Sequence, residues 1–212
     1  MNLEIDHIYI CHWNKLIERK EHIIKELNFH KISNFSFVEI YDKDNLDINE
    51  ITKEYPKLFK LTDRDKRYLK LSEISLLLKH CWIVKDAKLK KYKSIMILED
   101  DVVFDKNFVE LFNRYKKQLP EDWDCCWVGS CCNIHTPSTK NINVYPAKTS
   151  RCCHCYILSE NCINKILDEI ININEGIDWY YNDLIKKLNL NAFWFEPSLA
   201  EQSGNFSTTV QN

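Results

Sequence analysis

Seven consecutive residues, Ile95-Met96-Ile97-Leu98-Glu99-Asp100-Asp101, place three carboxylates at the end of an apolar run. The apolar part has the composition of a buried strand, and the acids mark its exit into a loop. Three adjacent negative charges repel one another, and a bound cation relieves that repulsion. Mg2+ and Mn2+ prefer carboxylate oxygens and bridge to substrate phosphates. Open α/β sheets also bind their ligands at the C-terminal ends of such strands. The pattern therefore points to a metal–diphosphate site, with a solvated acidic loop as the alternative.

A site of this kind needs a sheet to carry it. Residues 4–11 and 35–41 read as strands, and Leu16, Ile17, Ile23, Ile24 and Leu27 form an apolar helical stripe between them. Residues 43–70 are polar and irregular, with Pro56 as a breaker. Ser72 is placed to cap a long helix on which Ile74, Leu77, Leu78 and Cys81 share a face. The acidic strand follows, then an amphipathic helix through Phe108, Leu111, Phe112 and Tyr115 that ends before Pro120. Residues 124–129, 150–158 and 192–196 read as strands. Ser159 caps a helix carrying Ile163, Ile166, Leu167, Ile170 and Ile171, and a shorter helix spans 177–188. Strand and helix alternate through the first half, so the expected fold is α/β with a partly parallel central sheet, extended by antiparallel strands in the second half.

The whole chain, residues 1–212, fits one domain with room for a proper core. Apolar residues make up 45% and charged residues 28%, which excludes a disordered chain. With 29 Lys and Arg against 31 Asp and Glu, no global charge calls for nucleic acid or a membrane surface. The N-terminus lacks a secretory pattern and no stretch is long and apolar enough to span a bilayer, so a cytoplasmic location is expected. Ten cysteines include Cys125-Cys126, Cys131-Cys132 and Cys152-Cys153-His154-Cys155. Neighbouring residues on a strand point to opposite faces, so buried reduced thiols are expected in preference to zinc or a disulfide.

Five segments, in order, resemble glycosyltransferase family twenty-five, the group of lipooligosaccharide and procollagen galactosyltransferases. His7-Ile8-Tyr9-Ile10 through Glu18-Arg19 is similar to the family's opening strand and arginine. Leu71-Ser72-Glu73-Ile74 with Lys79-His80 resembles its second region, although Lys79 stands where the family has serine. Ile97-Leu98-Glu99-Asp100-Asp101-Val102 matches its L-E-D-D-[VA] motif. Residues 150–159, with His154, Tyr156 and Ser159, resemble its G-x-H-x-Y-x-[IL]-S stretch without the glycine. Gly176-Ile177-Asp178-Trp179, then Pro197-Ser198-Leu199 and Gln202, resemble its ending. The resemblance implies a single GT-A-like (Rossmann-like) nucleotide-sugar-binding domain with a mixed sheet. Its donor-binding half would span about 1–105 and its acceptor-side half about 106–212. It also implies transfer of a hexose (galactose, glucose or N-acetylhexosamine) from a UDP-sugar to a glycan or protein hydroxyl, with inversion. The alternatives are another nucleotide-handling enzyme, such as a nucleotidyltransferase, and a non-catalytic relative that binds protein. A glycine-rich phosphate loop is missing, which weighs against the nucleotidyltransferase.

Under that resemblance the residues take roles. Side chains at i and i+2 of an extended segment point the same way, so Glu99 and Asp101 both face the ligand. Asp101 is the preferred ligand for Mn2+ (or Mg2+), Glu99 orients ribose or a metal-bound water, and Asp100 turns toward an amide or a basic side chain. Inverting transfer needs a general base. Asp178, at a helix start where the dipole favours its ionised form, is the candidate, with simple N-capping as the alternative. Trp179 offers a stacking face to a sugar or a core contact. Glu73 and His80, two helical turns apart, contact the substrates or bond each other. His154 completes a metal shell or is a hydrogen-bonded strand histidine. Arg19 meets the diphosphate or makes a surface salt bridge. Asp42 reads uracil or ribose or starts a turn, and Gln202 with Ser203 borders the donor.

Overall fold

The structure is a computed structural model and describes residues 2–131, 142–204 and 206. The elements run β1 (His7–Cys11), α1 (Ile17–Phe29), β2 (Phe35–Val38), α2 (Ile48–Glu54), α3 (Leu71–Lys90), β3 (Ser94–Glu99), β4 (Val102–Phe104), α4 (Phe108–Lys116) and β5 (Cys125–Gly129). There follow β6 (Val144–Pro146), β7 (Cys155–Ser159), α5 (Glu160–Ile166), α6 (Ile177–Leu188), β8 (Ala192–Phe195) and β9 (Ala200–Gln202). Short 3-10 turns occupy Lys43–Asn45 and Ile170–Asn172.

Among the described residues a seven-stranded sheet has the order β2-β1-β3-β7-β5-β8-β6. β1 runs parallel to both β2 and β3, whereas β7 is antiparallel to β3 and to β5. β8 returns parallel to β5, and β6 closes the edge antiparallel to β8. The sheet is therefore mixed, with a parallel β2-β1-β3 block from the first half of the chain and a further parallel pair, β5-β8, from the second. Period-two alternation divides the core. Tyr9, Ile95, Ile97, Trp127, Tyr156 and Leu158 pack against α3, α5 and α6. Ile8, Ile10, Met96, Leu98 and Ile157 pack on the other face against Ile23 and Leu27 of α1 and Phe108, Phe112 and Tyr115 of α4.

Several boundaries differ from the sequence reading, each for a local reason. Helix α3 begins at Leu71, and Glu73 rather than Ser72 serves its end by accepting the Lys70 amide at 2.8 Å. The strand expected over 150–158 is β7 alone. The Asn182 side chain clamps Ser150 by accepting its N–H and donating to its carbonyl (2.8 and 2.9 Å), which holds that stretch out of the ladder. Helix α5 stops at Ile166, and the tighter 3-10 turn after it rotates Ile171 outward to 43% exposure while Ile170 stays buried. In α1 Ile17 is 66% exposed, and Arg19 takes the buried position instead.

The cysteines also depart in part from expectation. Cys131 and Cys152 are joined by a disulfide. Cys11, Cys81, Cys125, Cys126, Cys153, Cys155 and Cys162 are buried free thiols, and Cys132 lies outside the described residues. Among the described residues no helix is long and apolar enough to cross a membrane.

Candidate functional site

Strand register builds the site. Cys11, the last residue of β1, sits opposite Glu99, the last of β3, so His12 and Asp100 leave the sheet side by side. On the other flank of β3 the antiparallel β7 begins, and the Glu99 amide donates to the His154 carbonyl at 2.9 Å. Asp100 and Asp101 form the turn from β3 into β4. β4 pairs with β9, which sets Gln202 opposite Val102 and brings its side-chain amide to Glu99 at 3.2 Å. Segments roughly a hundred residues apart in the chain thus meet around the acidic turn.

One face of α1 holds that turn. Residues 19, 22 and 26 share a helical stripe. Arg19 donates to Asp100 at 2.9 Å and to Asp101 at 3.0 Å, His22 donates to the Val102 carbonyl at 2.9 Å, and Glu26 accepts the Phe104 amide at 3.1 Å. Asp100 is also bound from β1, where His12 Nδ1–H donates to it at 2.7 Å. Asp100 therefore turns to basic partners as expected. Arg19 is held by two carboxylates in a buried position.

Among the described residues, the buried acceptors left open include two that act on each other here. Asp101 Oδ1 has no hydrogen-bond partner, and neither does His154 Nδ1. The Nε2 of His154 lies 3.1 Å from the Ala200 carbonyl, which can only accept, so the ring proton is on Nε2 and Nδ1 carries its lone pair. Burial lowers the His154 pKa and keeps the ring neutral. Each of these residues feels the other's charge. Gly129 makes the arrangement possible. A Cβ there would stand 2.3 Å from the Ala200 oxygen and 2.6 Å from His154 Nε2.

The acids also repel one another. Burial raises the Glu99 carboxyl to about 8, with Asp101, Asp178 and Asp100 adding to the effect. Burial likewise raises Asp101 and pushes Asp178 up to about 6. Asp178 lies in the first turn of α6, where the Cys153 thiol and amide both bond its carboxylate. Glu99 thus stands in the field of the acidic turn on one side and of Asp178 on the other.

A half-open cleft adjoins the acids. It is lined by His12, Trp13, Arg19, Lys43, Ser72, Glu73, Lys79, Glu99 and Asp100, among others. Glu73 lines it, yet its carboxylate is forked onto Arg67 (2.6 and 2.7 Å) and not onto His80. His80 does not line the cleft. It is 2% exposed and bonded to the Tyr156 hydroxyl at 2.6 Å, and burial lowers its pKa to about 3. Asp42 also sits below the cleft, paired with buried Lys79, whose Nζ donates to the His12 carbonyl at 2.6 Å. The lysine that departs from the serine of the resembling pattern thus has a carboxylate of its own. The guanidiniums of Arg64 and Arg151 lie over the ring of half-buried Trp179.

His12, His22 and Glu26 were not singled out in the sequence. His12 had a signal, since it follows the strand that runs parallel to the acidic one. His22 and Glu26 had the spacing from Arg19. Among the described residues no group of three or more His, Cys, Asp or Glu side chains is arranged to hold a metal ion alone. Asp101 and His154 supply two donor atoms, and water and ligand oxygens would have to complete a shell.

Residues 5–145 match the family model described as "Glycosyltransferase family 25 (LPS biosynthesis protein)". No curated protein matches the chain by sequence. Among solved structures, a glycosyltransferase involved in the glycosylation of the major capsid of PBCV-1 is 12% identical with a TM-score of 0.52, over 95% of this chain and 93% of that one. A197 from STIV is 9% identical with a TM-score of 0.48, over 100% and 99% of the two chains. The apo-form glycosyltransferase GlyE of Streptococcus pneumoniae TIGR4 is 13% identical with a TM-score of 0.47, over 90% and 45%. The first of these likenesses establishes the fold as the GT-A-like mixed α/β type.

Proposed function

The chain belongs to glycosyltransferase family 25, and from that premise we propose a metal-dependent, inverting transfer of a hexose from a UDP-sugar to a hydroxyl of a glycan or protein. The observation that carries the reading is the pair of open acceptors, Asp101 Oδ1 and His154 Nδ1, buried at the acidic turn whose Glu99 and Asp100 line a cleft. A neutral imidazole whose other nitrogen is tied to a carbonyl is the form in which histidine binds metals. A carboxylate with one oxygen fixed by Arg19 offers its second oxygen in a set direction. These two groups fit Mn2+ or Mg2+, and the raised Glu99 fits a role beside it toward ribose or a bound water. Bound there, the cation would neutralise the charge that grows as UDP departs.

The chain's own residues supply the rest. Arg19 fixes Asp100 and Asp101 in a buried network, so the acids need little reorganisation as charge develops. The cleft side, with His12, Trp13, Lys43, Ser72 and Glu73, takes the nucleoside. Most of it comes from the first hundred residues, and Gln202 returns to its rim. Asp178 receives the proton of the acceptor hydroxyl as that oxygen attacks the anomeric carbon. Its carboxyl, raised to about 6, is ionised at neutral pH and basic enough to take that proton.

Calorimetry with UDP, with and without Mn2+, tests the reading. Wild type should bind UDP tightly only with the cation, and Asp101→Asn should weaken that binding at least tenfold. Equal UDP affinity with and without Mn2+, or an unchanged Asp101→Asn, would overturn the metal assignment. Binding of nucleoside triphosphates in preference to UDP-sugars would point to nucleotidyl transfer instead.

A further inference from the structure

We propose that the acceptor side of this site carries an anion subsite. In it the guanidiniums of Arg151 and Arg64, stacked on Trp179, grip a phosphate or carboxylate of the acceptor close to the hydroxyl that Asp178 deprotonates. The proposal rests on the transferase reading above and names the class of acceptor.

The Cζ atoms of Arg64 and Arg151 lie 3.9 and 4.2 Å from the centre of the Trp179 ring. A guanidinium over an indole face is attracted by the ring, and the N–H groups turned away from the ring can donate to an oxyanion. Both stems are anchored. The Arg64 amide donates to the buried Glu175 carboxylate at 2.6 Å. Arg151 stands between Ser150, clamped by Asn182 of α6, and Cys152, held by the disulfide. The cations therefore keep their place before any ligand arrives, which lowers the entropy lost on binding.

Their charges are poorly matched from within the protein. Among the described residues Arg151 has no carboxylate at ion-pair distance. Arg64 has only Asp183 at 3.6 Å, and both of those side chains are open to solvent (41% and 56%). Arg19, near the acidic turn, is by contrast fully engaged by two buried carboxylates. The guanidinium at the acidic turn is thus locked, whereas Arg151, whose charge reaches Asp178, and Arg64 beside it on Trp179 are loosely paired. Arg151 lies near enough to Asp178 for its charge to act on that carboxyl, so an acceptor hydroxyl that reaches Asp178 comes close to this guanidinium. A negative group on the same or the neighbouring unit of that acceptor then falls against the guanidinium edges.

The anion could come from the acceptor or from the diphosphate of the donor, and one titration separates the two. Inorganic phosphate is added to 15N-labelled protein while the Trp179 indole N–H resonance, assigned with Trp179→Phe, is followed. The titration is run with and without saturating Mg2+ and UDP. We expect a saturable shift whose Kd rises at least tenfold in Arg151→Gln, recovers partly in Arg151→Lys and changes less than twofold when UDP is bound. Arg151 is exposed, so its replacement leaves the fold intact. Absence of a saturable shift, or an Arg151→Gln variant that binds like wild type, overturns the subsite. Loss of the phosphate response on adding UDP assigns the guanidiniums to the donor and overturns the acceptor class. The same samples report UDP binding through the cleft resonances, so failure of the transferase reading shows separately from failure of the phosphate titration.

Discussion

Burial raises the Asp178 carboxyl to about 6, and that sets the direction of two measurements. As a base it works only when ionised, so kcat at saturating donor and metal should climb about tenfold per pH unit below 6 and flatten above it. The stability effect has the opposite sense. A carboxyl whose folded pKa exceeds its unfolded value destabilises the fold once it ionises. The penalty is absent below about pH 4 and complete above about 6. Asp178→Asn should therefore raise Tm by a few degrees at pH 8 and leave it unchanged at pH 4, while donor binding stays and transfer falls by 10²-fold or more. Wild-type turnover in this variant would remove Asp178 from the chemistry. His12 acts at one remove, through Asp100 and Arg19 on Asp101. His12→Leu strips a buried carboxylate of a donor, at a cost of about 1–3 kcal/mol. It should also weaken Mn2+ binding several-fold in a titration with UDP present, whereas His12→Asn, whose amide can replace Nδ1–H, should restore most of it. The acidic turn was legible in the sequence because three charges in a row after a hydrophobic strand are unusual. His12 was not, because its importance comes from strand register, which the chain does not spell out.

At the scale of elements, the acidic turn is held by one helix face and one strand pair. Arg19, His22 and Glu26 of α1 grip the turn and β4 as a three-rung ladder, and β9 closes against β4. Gly129, at the end of β5, lets β9 and His154 approach. Gly129→Ala should cost about 1–3 kcal/mol from overpacking against a backbone oxygen that cannot move freely. Chemical denaturation would measure that cost, and metal-dependent UDP affinity should fall with it because His154 and Gln202 shift together. An alanine variant with wild-type stability and affinity would mean that β9 does not set the site. Sequence patterning found the apolar stripe of α1 but assigned Ile17 to the interior. The polar ladder went unread because buried charges look, in sequence, like any solvated face. The short strands β4, β6 and β9 were missed for a related reason. Three residues are too few to show alternation, and tertiary pairing defines them.

For the whole molecule, the fold class was legible where local pattern and tertiary structure agree. Alternating strands and helices in the first half implied the parallel β2-β1-β3 block, and the looser second half implied antiparallel additions, as the sheet order bears out. The disulfide between Cys131 and Cys152 could not be read, since spacing alone does not select partners among ten cysteines. The acidic turn is also the meeting point of distant segments, and this has a consequence in time. Cys11 finds Glu99, and Val102 finds Gln202, only after long loops have closed. Such pairings pay their chain entropy early and collect their contacts late, which slows the search for the native state. The helices on either side form from local contacts in far less time. In a stopped-flow refolding experiment, helical circular dichroism should therefore recover before the protein regains its capacity for nucleotide. Ligand capture would then serve as a clock for the last step of self-assembly, and a chain caught before that step would be compact, largely helical and inert.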